Sequence, residues 1–166
     1  MTVMAHDVPT EADATLLREA IALAHRHSQK GAGGPFGAII AQGDTVIGRG
    51  WNQVSSTNDP TAHAEVVAIR AACRALGKFH LSGCVLYTTC EPCPMCLAAA
   101  YWAHVDRIVY AATRRDAANI GFDDAFLYRE FRRDLKKRRL PMQQLLRAES
   151  QSMMRMWHKI PGRVTY

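Results

Sequence analysis

The sequence predicts an α/β fold with a sheet held between helices, in one domain spanning residues 1–166. Three observations carry that expectation. Apolar residues switch repeatedly between helical spacing and short strand-length runs. Glycine and proline stand at the switches. The length of 166 residues, with 48% hydrophobic and 22% charged residues, suits a single buried core.

The elements follow in order. A first helix is expected over 10–30: Thr10 caps, Asp13 stands three residues later, and Leu17, Ile21 and Ala24 form an apolar stripe. The glycine-rich stretch 31–34 ends it. Residues 36–41 and 45–52 are apolar runs separated by Gln42-Gly43-Asp44, which reads as two strands joined in a hairpin. A polar loop over 53–58 leads to Asp59 and Pro60, read as an N-cap and first helical residue, with Val66, Ile69, Cys73 and Leu76 keeping helical spacing up to Gly77. Then come a strand over 85–88, a helix over 94–102, a strand over 107–112, a helix over 123–135, a weaker strand over 142–147 and a last helix over 150–159. Helices alternate with strands, so the sheet lies between helical layers.

Composition narrows the class. No apolar run approaches the roughly 18 residues of a membrane span, and residues 1–7 lack the basic start and apolar stretch of a signal peptide, so no membrane partner and a cytoplasmic setting are expected. Five cysteines without framework spacing argue against a disulfide scaffold. A net charge of +6 raises the question of nucleic acid. Much of that charge lies in Arg129, Arg132, Arg133, Lys136, Lys137, Arg138 and Arg139, which read as a solvated helix end whose cations favour the helix dipole; no nucleic-acid partner is expected.

The chemistry concentrates in His63-Ala64-Glu65 and Glu91-Pro92-Cys93-Pro94-Met95-Cys96. Cys93 precedes a proline, which disfavours helical backbone, so Cys93 is expected at an N-cap, Pro94 at the first helical position and Cys96 in the first turn. Both sulfurs then sit at the positive end of a helix, which favours thiolate. His63 and Glu65 are two apart and share a cavity only at a helix start. Three ligands, His63, Cys93 and Cys96, with a carboxylate beside them, describe catalytic zinc with one open position, whereas a structural site closes four protein ligands. Zinc is the cofactor expected, and Glu65 the group that moves protons. A zinc protease helix would need a second histidine at position 67, which is Val67. Taken alone, Cys-x-x-Cys also describes a redox pair or half of a structural site; together with His-x-Glu and Pro92 it matches the zinc deaminase signature.

These motifs, with Gly33-Gly34-Pro35-Phe36-Gly37-Ala38, the stretch from Asn58 to Glu65, Tyr101-Trp102, Gly121-Phe122-Asp123-Asp124 and the terminal Tyr166, make the chain resemble the cytidine deaminase-like superfamily, and within it the bacterial guanine deaminases. The resemblance implies a three-layer α/β/α fold with a central mixed five-stranded sheet. It also implies hydrolysis of guanine to xanthine and ammonia. By matching position, Asn52 and Asp124 are expected to read the base, Phe36, His63 and Trp102 to sandwich its ring, and Tyr166 to cap it. A homodimer exchanging the segment 148–166 is implied as well. Plainer roles compete: Phe36 and Trp102 also suit a core, Asp124 a helix cap, and Asn52 a strand-end turn. A related substrate (guanosine, cytosine or an aminotriazine) and a tRNA adenosine deaminase are the catalytic alternatives. A zinc-stabilised binding module would need a fourth ligand, with His80, His104 and Cys90 as candidates.

Overall fold

The computed structural model describes residues 8–165. Helix α1 (Glu11–Ser28) starts at a capping box: Asp13 N–H donates to Thr10 Oγ1, and Thr10 N–H donates to the Asp13 carboxylate. Strands β1 (Gly37–Gln42) and β2 (Thr45–Trp51) form the expected hairpin, with an irregularity between Ile40 and Ala41. β3 (Val85–Cys90) pairs antiparallel with β1, and β4 (Arg107–Ala112) pairs parallel with β3, giving a mixed sheet of order β2-β1-β3-β4.

Alternation along the strands builds a core on each face. Ala38, Ile40 and Leu86 pack with Ala64, Ala68 and Ala72 of α3 (Ala64–Leu76) and Ala100 of α4 (Pro94–Trp102). Ile39, Ala41 and Tyr87 pack with Leu16, Ala20 and Leu23 of α1. The sheet therefore lies between helical layers. α3 approaches β2 closely because Gly50 has no side chain; a Cβ there would collide with the Ala64 carbonyl. That contact fixes the start of α3, where the chemistry lies.

The α3 start differs from expectation. Asp59 does not cap the helix; its Oδ1 accepts from the Thr61 N–H and hydroxyl, making a local turn, and Asn58 takes a left-handed conformation just before it. The helix begins four residues later, with His63 at the N-cap. Two short helices were not anticipated, α2 (Val54–Thr57) and α5 (Arg114–Asn119), the latter opened by a Thr113–Asp116 capping box.

The chain divides into two compact units at Asp124. In the second, the helix expected over 123–135 is shorter, α6 (Ala125–Arg132), followed by a 3-10 turn (Leu135–Lys137). The fifth strand expected over 142–147 does not form: four strands are present among the described residues. Met142, Leu145 and Leu146 are spaced by three and one rather than two, so the segment presents no single apolar face to a sheet, and all three are exposed. Leu146 is left-handed and leads into α7 (Arg147–His158), which starts earlier than expected. No described helix is long and apolar enough to cross a membrane.

A buried polar network joins α1 to β3 and β4. Asp13 is 3% exposed and its Oδ1 accepts from Tyr87 Oη at 2.7 Å and Arg107 Nη2 at 2.6 Å. The Arg107 guanidinium holds the Asp13 carboxyl well below the usual carboxylate range. Asp13→Ala is expected to cost about 3 kcal/mol, since it strands a half-buried cation and a buried phenol. Because the folded-state pKa is depressed, this contribution is fully present above about pH 4 and fades as pH falls towards the folded pKa. Urea unfolding of both proteins at neutral pH and in acid checks it: the gap should shrink in acid.

Candidate active site

Three side chains meet where α3 and α4 begin. His63 is the N-cap of α3, and Cys93 is the N-cap of α4 with Pro94 next, as the Cys-Pro sequence predicts. Cys96 follows in the first turn of α4 and is fully buried. Nδ1 of His63 stands 3.6 Å from Cys93 Sγ and 3.5 Å from Cys96 Sγ. A tetrahedral ion holding nitrogen at ~2.05 Å and sulfur at ~2.3 Å separates those donors by about 3.6 Å, so the set fits zinc.

No fourth protein donor joins them among the described residues. Cys90 instead donates its thiol to the Thr113 carbonyl at 3.5 Å, while the rings of His80 and His104 pack against each other at 4.9 Å. All five cysteines are free thiols. The Cys93 thiol is pulled down to about 4, chiefly because Cys96 donates to it; Cys96 is pushed up for the same reason, with burial adding to it. Hydrogen bonding to Cys93 raises His63. Zinc ligation requires both sulfurs as thiolates, so a metal would displace their protons on binding.

Glu65 lies on the first turn of α3, 6% exposed, beside this set. Burial raises its carboxyl above the usual range, an effect reinforced by the Cys93 charge. Its Oε1 accepts from the hydroxyl of Thr88, on β3, at 3.3 Å. Thr88 was not anticipated. The signal was a polar side chain on the same strand face as Leu86, two residues further towards the motif.

The other expected site residues divide. Asn52 is buried just after β2, and its Oδ1 accepts from the backbone N–H of Gly34 at 3.2 Å and of Val54 at 3.3 Å. Two N–H donors require an acceptor, which orients the amide and turns its Nδ2 away from them. Gly33 permits this, since a Cβ there would overlap the Asn52 carbonyl. Phe36 is half-buried against the α3 and α4 core and meets Phe122 edge-on at 4.9 Å. Asp124 is half-buried; burial and the charge of Cys93 raise its carboxyl, with Arg114 opposing. Trp102 is 62% exposed at the end of α4, so it is no core residue, and six residues of helix separate it from Cys96 by about 9 Å along the axis. Tyr166 lies outside the described residues.

Comparison with known proteins agrees with this geometry. Residues 10–112 match the cytidine and deoxycytidylate deaminase zinc-binding region. The guanine deaminase of Bacillus subtilis is 46% identical over 152 residues, covering 92% of this chain and 97% of that protein. Its X-ray structure aligns with a TM-score of 0.89. The guanine deaminase structure from Nitrosomonas europaea aligns with a TM-score of 0.64 at 28% identity, covering 75% of this chain and 79% of that one. A tRNA-specific adenosine deaminase of Aquifex aeolicus is 42% identical over 96 residues, which is 58% of this chain and 63% of that protein. With the donor set and the buried glutamate in place, the chain belongs to the cytidine and deoxycytidylate deaminase zinc-binding family, alongside the guanine deaminase of Bacillus subtilis.

Proposed function

We propose that the protein is a zinc-dependent guanine deaminase, converting guanine and water to xanthine and ammonia. The observation that carries the reading is a buried carboxylate beside a three-donor set, in a chain whose likeness to a guanine deaminase runs over 92% of its length rather than the zinc region alone. Zinc, when bound to His63, Cys93 and Cys96, polarises a water and brings its pKa towards ~7. The Glu65 carboxylate takes a proton from the attacking water and passes it to a ring nitrogen, then takes a second proton from the hydroxyl now on the purine carbon and gives it to the leaving amine, ending as the carboxylate it began as. Its dry surroundings suit it to hold a proton between the two transfers.

Asn52 offers Nδ2 as a donor, because its oxygen is engaged by backbone; the O6 and N7 acceptors of guanine match a donor. Asp124 accepts from N–H groups of the base. Phe36, His63 and Trp102 bracket the ring. A cytoplasmic setting keeps the ligand thiols reduced.

The protein acts as a homodimer that exchanges the segment 148–166. Support comes from the second unit: none of residues 125–165 is buried, and Met153, Met154, Met156 and Trp157 are exposed. From residue 125 onward, eleven Lys and Arg stand against three Asp and Glu, a net of +8, while the first 124 residues have ten against twelve, a net of −2. Opposite charge and uncovered apolar surface both favour association with a second copy.

The basic run does not favour a tRNA substrate. Arg138 donates to the carbonyls of Arg133 and Phe131 near the end of α6, Arg133 pairs with Glu130, and Lys137 with Asp134. Ammonia release from guanine, guanosine, cytosine, adenine, ammeline and tRNA, measured side by side, tests the reading. Guanine should have the highest kcat/KM, and the active species should have twice the 18.5 kDa chain mass by light scattering. A preference for tRNA adenosine, or an active monomer, contradicts the corresponding part.

A further inference from the structure

We propose that Thr88 is a positioning residue for the deamination step, its buried hydroxyl holding the Glu65 carboxylate in one orientation beside the His63, Cys93 and Cys96 donors. The inference rests on the proton-carrying role proposed for Glu65 and deepens it.

Thr88 is 1% exposed in the middle of β3, paired with Ala38 on one side and Tyr110 on the other. Side chains alternate along a strand, so Thr88 points to the same face as Leu86, which packs into the core formed with α3 and α4. At such a position valine has nearly the same shape and carries no polar group to bury. A hydroxyl there costs stability unless it is hydrogen-bonded. The partner it has is Glu65 Oε1, at 3.3 Å, and no buried side-chain polar atom of the described residues is left without one. A β-branched side chain in a strand is restricted at χ1, so the hydroxyl is fixed by the strand itself.

The geometry then divides the work between two elements. α3 carries Glu65 from its N-terminal turn, held against β2 by the close approach at Gly50. β3 supplies a donor from the sheet, one strand away from the hairpin. A flexible three-bond side chain is thereby tied at its far end as well as at its backbone. That matters for a carboxylate that carries two protons in turn, each taken from one atom and given to another, because each transfer requires hydrogen-bond reach. The contact is longer than an optimal O–H···O bond, and such bonds commonly tighten when a substrate fills the site.

Thr88→Val removes the hydroxyl and keeps the shape. Steady-state kinetics with guanine should show kcat lowered by about tenfold, the loss of one hydrogen bond to a charged group, with KM within about twofold and zinc content unchanged. Thr88→Ser, which restores the hydroxyl, should recover kcat to within about threefold of the parent. A wild-type kcat in Thr88→Val overturns the proposal, as does a Thr88→Ser as slow as Thr88→Val, which would assign the effect to methyl packing. Should Thr88→Val not fold, Thr88→Ala read against Thr88→Ser gives the same comparison, and equal kcat in those two overturns it. Glu65→Gln, assayed in parallel, separates the two levels: an active Glu65→Gln removes the proton-carrying role itself, whereas an inactive Glu65→Gln beside a fully active Thr88→Val removes only the positioning role.

Discussion

Replacing Glu65 by Gln is expected to lower kcat for guanine by about 10³-fold while one zinc per chain is retained. The substitution keeps the size of a side chain that is 6% exposed, and it preserves an oxygen able to accept from Thr88. What it removes is the site that takes up and returns the proton. Glu65 is not one of the three metal donors, so metal content should not follow activity. Zinc by atomic absorption and turnover by xanthine formation, on the same preparation, read the two effects separately. Full turnover in the variant would contradict the role; loss of zinc with activity would make Glu65 a support of the metal rather than a carrier of protons.

The second large effect concerns the donors. Cys96→Ala is expected to lower zinc affinity by more than about 100-fold and to abolish turnover at ordinary zinc concentrations, because losing a donor weakens the site more than losing an outer hydrogen bond does. The same variant should melt at lower temperature than the zinc-loaded parent, since a metal that binds only the folded chain stabilises it by mass action. Treating the parent with a chelator should move its Tm in the same direction, and adding zinc back should reverse that shift. A Cys96→Ala protein that binds zinc as tightly as the parent would show that another residue completes the set.

Much of this site could be read in advance, and the reasons are local. Cys93-Pro94 determines its own backbone: proline excludes helix before it and favours helix at its own position, so the cap and first turn of α4 follow from two residues. Glu65 two residues after His63 required a helix start, and the structure places one there. Asp59-Pro60 shows the limit of the same logic. An aspartate before proline reads as a helix cap, yet its carboxylate is used by Thr61, and the helix waits until His63. Position 142–147 failed for a different reason. β-strand character depends on an edge to pair with, and apolar content without period two does not supply a face for one.

What the sequence concealed were contacts between distant segments. Thr88 meets Glu65 across 23 positions, and Gly34 meets Asn52 across 18. Neither spacing is a motif; both arise because the sheet brings β3 and the hairpin beneath α3. Asp13, Tyr87 and Arg107 form their network over a still longer range, and only Asp13 had a local role visible beforehand, in the capping box of α1. His63, Glu65, Cys93 and Cys96 specify the type of reaction, whereas the residues proposed to read the base, Asn52 and Asp124, lie far apart in sequence.

Guanine turnover by the zinc-loaded protein tests the central claim most directly. Purified protein carrying one zinc per chain, incubated with guanine, should yield xanthine and ammonia in equal amounts, both quantified from the same reaction. Neither product appearing, with the zinc still bound and the chain folded, would contradict the account.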